Sequence, residues 1–182
     1  MAIVDRVKNI LLSPKEEWPK IAGETATVQS LYTGYIMILG AIGPLAMLIA
    51  SMAYGGATGA IVSYLGTLIM VYVVALIADL LAPTFGGEKN MLQSLQLVAY
   101  SCTAVWLAGI LQLLGMLAGI LSLIALIYSL YTFYLGVTVM KKVPQEKAVT
   151  YTVVVVLCVM VLGAVIGFLL RTTLYSGMPM GM

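Results

Sequence analysis

Long stretches of this chain carry no charge. No Asp, Glu, Lys or Arg lies between Glu24 and Asp79, between Lys89 and Lys141, or between Lys147 and Arg171. A helix needs about 20 predominantly apolar residues to cross a bilayer core, so these runs accommodate two, two and one spanning helices. The expected spans are 31–54, 57–81, 92–114, 116–140 and 151–170, preceded by an interfacial segment 1–30 and followed by a tail 172–182. Gly55-Gly56 supplies the first tight turn and Gly115 the hinge of the second. Only 9% of residues are charged and 62% are hydrophobic, whereas soluble domains carry roughly 25% charged residues. The fold class is therefore an all-α integral membrane protein, a bundle of five transmembrane helices with a short amphipathic amino-terminal segment.

Lysine and arginine placement sets the expected orientation. With the amino terminus in the cytoplasm, Arg6, Lys8, Lys15, Lys20, Lys89, Lys141, Lys142 and Lys147 lie inside and Arg171 alone lies outside. The carboxyl terminus is then extracytoplasmic. No cleavable signal peptide is expected, because the first 30 residues lack a compact apolar core and mix acidic with basic residues. Ile3, Val4, Val7, Ile10 and Leu11 recur at helical spacing opposite Asp5, Arg6, Lys8 and Asn9, which predicts an amphipathic helix on the membrane surface. Ser13-Pro14-Lys15-Glu16 has the form of a capping box with proline at the first helical position. Pro19 makes this second helix short or bent, and Trp18 is expected as an interfacial anchor.

Catalytic and metal chemistry have little to work with. The chain has no histidine, the commonest general base and metal ligand. Cys102 and Cys158 are far apart inside apolar runs. Met178, Met180 and Met182 are soft donors that suit Cu(I), but three thioethers on a terminus read first as a tail. No cofactor or enzyme activity is expected.

The order of several segments resembles bacterial and archaeal members of the Yip1 family. They are Val7-Lys8-Asn9-Ile10-Leu11-Leu12-Ser13-Pro14-Lys15-Glu16, Phe85-Gly86-Gly87, the stretch 95–100, and Tyr128-Ser129-Leu130-Tyr131-Thr132-Phe133-Tyr134-Leu135-Gly136-Val137, leading into Val143-Pro144-Gln145-Glu146-Lys147-Ala148. The resemblance covers nearly the whole chain and implies a five-span fold in a prokaryotic inner or plasma membrane. For eukaryotic members it implies trafficking with Rab-type GTPases. That role is not carried over here. The amino-terminal region is short, the family's glycine-tyrosine-serine motif reads Ala99-Tyr100-Ser101, and the proline downstream of it is missing.

Three groups of residues are candidates for function or packing. Asp79, Gln93, Gln96, Tyr100 and Thr103 are the intramembrane polar candidates. Asp79 is the one carboxylate within a span, expected to snorkel or to meet Lys89; the other four share a face of the third span and act as hydrogen-bonding glue or line a hydrated path. A partner or lipid-headgroup surface is expected from Lys15, Trp18, Gly86, Gly87, Lys89, Lys141, Lys142 and Lys147. Close packing within the bundle is expected at Gly115, Gly119, Ser122, Ser129 and Gly136 on the fourth span, at Gly163 and Gly167 on the fifth, and at Gly55 and Gly59 around the first turn. Gly40, Gly43 and Pro44 predict a kink in the first span.

The expected function is a non-enzymatic scaffold or adaptor working through its cytoplasmic face. Its partners are the lipid bilayer and a membrane or cytoplasmic protein. Nucleic acid is excluded, and homo-oligomerisation is left open. The alternative is a small transporter or channel using Asp79 and the polar face of the third span.

Overall fold

A computed structural model describes residues 2–50, 57–114 and 117–175. Two amphipathic helices open the chain, α1 (Ile3–Leu12) and α2 (Pro14–Gly23). Five helical segments long and apolar enough to cross a membrane follow: Val28–Ala50, Ala57–Phe85, Met91–Leu113, Leu117–Met140 and Gln145–Phe168. They are the first to fifth spans below. Gly55, Gly56, Gly115, Met178, Met180 and Met182 lie outside the described residues.

The third span is the axis of the bundle. In its most apolar window 61% of residues are buried, against 17% in the second and fifth spans. Mean hydropathy runs the other way, 1.5 for the third span and 2.7 for the fifth. This is the order a bilayer dictates: lipid-facing helices are apolar all round, and polar side chains collect where other helices satisfy them.

Neither the first nor the third span is a uniform α-helix. The first passes through a π-turn at Tyr32–Ile36 and is interrupted at Ala41, next to the glycines and proline that predict a kink. The third is α-helical over Met91–Ser101, breaks at Cys102, resumes over Thr103–Ala108 and tightens into a 3-10 helix at Gly109–Leu114. The two irregular segments cross at a glycine pair. A Cβ on Gly109 would sit 2.7 Å from the Cα of Gly43, so the backbones meet directly. Tyrosines tie the first and second spans, since Tyr32 Oη donates to the Leu68 carbonyl at 2.9 Å and Tyr64 Oη to the Met37 carbonyl at 3.1 Å.

The amino-terminal helices pack against the bundle. Trp18 and Ile21 of α2 are fully buried, and α2 packs along the fourth span. The inner face of α1 carries Arg6 and Ile10, one helical turn apart, while Val4 is exposed. Apolar periodicity alone assigns Arg6 to the wrong face, because a paired guanidinium can be buried where a free one cannot. Ser13 does precede the proline-initiated α2 but makes no side-chain cap. Its carbonyl instead accepts from the Glu16 and Glu17 backbone N–H groups, each at 3.1 Å. A reciprocal capping box does form further on, between Thr27 and Ser30, at the entry to the first span.

Small residues pack the fourth span at one end only. Gly136 is indispensable there: a Cβ would lie 2.5 Å from Leu97 Cδ1 and 2.6 Å from the Trp18 ring. Ser129 is buried as well. By contrast Ser122 and Gly119 are exposed, and a Cβ on Gly119, Gly163 or Gly167 would meet nothing within 4 Å. The expected stripe therefore stops halfway, and the GxxxG pair of the fifth span lies outside the packed bundle. Gly59 does approach a neighbour, with its Cβ position 3.1 Å from Met47 Cε.

Candidate functional site: the clipped charged end

All the exposed lysines described below gather at one end of the bundle, where two buried ionic clips join segments distant in sequence. The first is built on Asp79. The second span changes there from α-helix to the 3-10 turn Ala82–Phe85, and Gly86 follows in the left-handed region at φ 82°. Gly87 then runs so close to the loop after the fourth span that a Cβ would fall 2.7 Å from the Lys141 carbonyl oxygen. Gly86 and Gly87 are thus required by the backbone of this turn. Next, Glu88 N–H donates to the Lys141 carbonyl at 2.9 Å, which knits the two loops together.

Lys141 itself turns inward. It is fully buried, and its Nζ donates to Asp79 Oδ1 at 2.7 Å and to the Asn90 carbonyl at 3.3 Å. The same Asp79 oxygen accepts from the Asn90 backbone N–H at 2.7 Å and from the Ser94 hydroxyl at 3.0 Å. Asn90 also caps the third span, its side-chain oxygen accepting from Gln93 N–H at 3.1 Å. Burial pulls the Lys141 ammonium below the ordinary lysine range, and the bond to Asp79 opposes that pull. Asp79 therefore neither snorkels nor meets Lys89, which is exposed. Lys141 is likewise no part of the outer surface. Its neighbour Lys142, held at φ 53°, points outward and pairs with Glu88 at 2.7 Å, both side chains being well exposed.

The second clip is built on Arg6. Its guanidinium donates to Glu17 at 2.6 Å and to Glu24, and Lys20 adds a 3.2 Å contact to Glu17. Arg6 and Glu17 are almost wholly buried. The guanidinium lies 5.4 Å from the centre of the Tyr100 ring, a cation–π geometry. Beneath it, Tyr100 meets Tyr35 edge-on at 4.7 Å, and the Tyr35 and Thr103 hydroxyls share a 2.7 Å hydrogen bond. Thr103 donates onward to the Tyr100 carbonyl at 2.6 Å. The Trp18 indole N–H donates to the Thr132 carbonyl at 3.1 Å, and Tyr128 Oη donates to the Leu11 carbonyl at 2.7 Å. Trp18 is a core residue here, not an interfacial anchor.

The polar face of the third span is accordingly internal. Gln96, Tyr100 and Thr103 are buried and Gln93 is half-buried. The fifth span joins this end through Tyr151, whose hydroxyl donates to the Ala78 carbonyl at 2.5 Å while its ring stacks on Phe133 and meets Phe85 edge-on. Among the described residues no group of three His, Cys, Asp or Glu side chains is placed to hold a metal ion.

Periodicity and charge counting find Asp79, Tyr100 and Thr103. They miss Arg6, Glu17, Tyr35, Asn90 and Ser94 as members of the clips. Lys141, expected on the outer surface, had a partial signal: an intramembrane carboxylate near a span end requires a cation, and the Lys141-Lys142 pair follows the fourth span at the same level.

These features define a class, a multi-pass helical membrane protein closed at one end by its amino-terminal helices. A family model described as the Yip1 domain matches residues 8–167, which takes in both ionic clips except Arg6 itself and all five spans almost to their ends. The chain belongs to the Yip1 family. Searches of curated proteins and of solved structures found no match.

Proposed function

We propose that this Yip1-family protein is a non-enzymatic scaffold or adaptor whose charged end faces the cytoplasm of a prokaryotic cell and engages a membrane or cytoplasmic partner. The reading rests on one observation. The Asp79–Lys141 clip holds the two loops together and the Arg6–Glu17 clip holds α1 to α2, and on these pre-ordered segments Lys8, Lys15, Lys89, Lys142 and Lys147 are exposed. A pre-ordered surface binds without the cost of ordering loops. The count of eight basic residues on this side against Arg171 supports its cytoplasmic placement. The transporter alternative gains no support from Asp79, whose Oδ1 already accepts three hydrogen bonds.

The test uses a photo-crosslinking residue placed in turn at Lys15, Lys89, Lys147 and, as a lipid-facing control, Val165, with the protein in its native membrane. The same partner band is expected from the first three positions and none from Val165. Capture that is equal at Val165, or absent at all four, defeats the proposal. Orientation is checked separately in a chain lacking Cys102 and Cys158. A single cysteine at Ser176 should react with an impermeant thiol reagent on intact cells, and one at Gln145 should not.

A further inference from the structure

The second to fifth spans do not close on one another at mid-height. They leave between them a partly open cavity of about 720 Å³, within the roughly 300–1,000 Å³ typical of small-molecule sites. Its wall includes Val71, Trp106, Phe133 and Val159, and no charged residue lines it. Val105, Leu126 and Met160 also line it and are exposed on the outside of the bundle. The mouth therefore opens sideways, toward lipid. None of Asp79, Asn90, Ser94, Lys141, Arg6 or Glu17 takes part, so the cavity is separate from the charged end and from the scaffold reading.

Two serines interrupt the apolar lining. Ser101 and Ser129, only 4% and 7% exposed, are among the lining residues, and neither Oγ, itself without accessible surface in this conformation, has a hydrogen-bond partner. Helical hydroxyls elsewhere in this chain satisfy themselves locally: Thr33, Thr67, Thr132 and Thr152 each donate to the carbonyl four residues earlier. Buried polar groups in native proteins are nearly always paired, and the exceptions call for an explanation. In hydrocarbon no water is at hand to do it.

Depth narrows the partner. Ser101 lies ten residues into the helix that starts at Met91, and Ser129 eleven residues from Met140. At 1.5 Å per residue each is roughly 15 Å from the charged end, half of a hydrocarbon core about 30 Å thick. The charged headgroup of a phospholipid stays at the interface, so only its tail reaches this level and the hydroxyls stay unmet. A charged ligand would have no counter-charge.

We propose that the cavity binds a neutral lipid dissolved in the bilayer, which enters sideways between the spans and offers a carbonyl or hydroxyl oxygen onto which the Ser101 and Ser129 hydroxyls turn by rotation about χ1. A long-chain quinone, with two carbonyl acceptors and no charge, is the appropriate probe.

The experiment uses the full chain in detergent and a decyl-tailed benzoquinone, read by quenching of Trp106 on the cavity wall. Saturable quenching is expected, and the Trp106→Phe variant should lose it. Replacing both hydroxyls (Ser101→Ala with Ser129→Ala) should weaken binding about tenfold, as two lost hydrogen bonds imply, without lowering the melting temperature of the unliganded protein. Val159→Phe, which adds bulk to the cavity wall, should weaken binding further. The proposal is overturned if quenching survives Trp106→Phe, or if the double alanine variant binds equally well or melts lower without ligand. It is also overturned if phosphatidylglycerol competes as effectively as the quinone. If Val159→Phe changes the oligomeric state and leaves quinone binding intact, a second copy of the chain covers the opening instead.

Discussion

The two ends of this bundle are held by different means. At the charged end, α1, α2, both loops and the third span interlock through Asp79–Lys141, Arg6–Glu17, Trp18 on Gly136 and Tyr151 on Ala78. Toward the other end the small residues of the fourth and fifth spans have no close neighbours. Gly119, Gly163 and Gly167 present open space, and Ser122 faces outward. Lipid tails are as apolar as leucine, so helices gain nothing from hydrophobic burial against one another and associate through close packing and polar contacts. Polar groups are concentrated at one end of this chain, and there α2 and the fourth and fifth spans find their close contacts, whereas at the other end the first and third spans meet at Gly43 and Gly109. The cavity between the second and fifth spans begins where those contacts stop.

The largest expected effect comes from separating Asp79 and Lys141. Asp79→Asn leaves a buried ammonium without its counter-charge, and Lys141→Met leaves the carboxylate in the same position. Either loss should cost ~3–5 kcal/mol, seen as a large fall in melting temperature of the detergent-solubilised protein. The double variant should recover much of it, because a neutral pair removes both desolvated charges. Strictly additive losses in this cycle would mean the pair is not coupled, and the charged end would then lack its main clip. The cycle also redirects the functional test. Charge on the outer surface should be neutralised at Lys142 and Lys147, since Lys141 is structural.

Next in size is the close approach at Gly136. Gly136→Ala forces a methyl against Leu97 and the Trp18 ring, and overpacking of this kind costs ~1–3 kcal/mol. Proteolysis within α1 and α2 in the folded protein should accelerate, because these helices would no longer seat on the fourth span. A variant with unchanged proteolysis would show that α2 is held by Arg6 and not by Trp18. A smaller loss, about 1 kcal/mol, is expected for Trp18→Phe, which keeps an aromatic ring on Gly136 but removes the donor to the Thr132 carbonyl.

Much of this architecture was legible in the sequence, for a physical reason. A bilayer excludes unpaired charge, so the empty intervals between Glu24, Asp79, Lys89, Lys141, Lys147 and Arg171 mark five spans as clearly as any motif. The family resemblance was legible too, from segments that fall, but for Val7, within the residues the family model matches. What stayed hidden was the partnering of charges across distant segments. Arg6 reads as a surface residue until Glu17 and Glu24 are folded onto it, and Lys141 is indistinguishable from Lys142 until the left-handed backbone at Lys142 sends the two side chains opposite ways. Small-residue spacing had the opposite failing. Gly136 and Gly163 look equally poised for packing, yet only Gly136 has a neighbour. Spacing specifies a face and says nothing of whether another helix reaches it. The cavity was invisible for a related reason, since Ser101 and Ser129 are ordinary helix residues until their hydroxyls prove to be unpaired.

The smallest effect gives the sharpest test of the difference between the ends. Gly163→Ala adds a methyl where nothing lies within 4 Å, so no overpacking penalty applies. Alanine is the better helix former, by up to about 1 kcal/mol in an exposed helix interior. The variant should therefore melt at the same temperature as the parent or slightly higher, in contrast to Gly136→Ala. Measured in parallel in one detergent, the two substitutions share their chemistry and differ only in location. If Gly163→Ala is as damaging as Gly136→Ala, the fifth span packs closely against something this single chain does not supply, and a self-associated form of the protein is the first place to look. Chemical cross-linking of the parent and the Gly163→Ala protein in native membranes would then reveal it, as a dimer band lost in the variant.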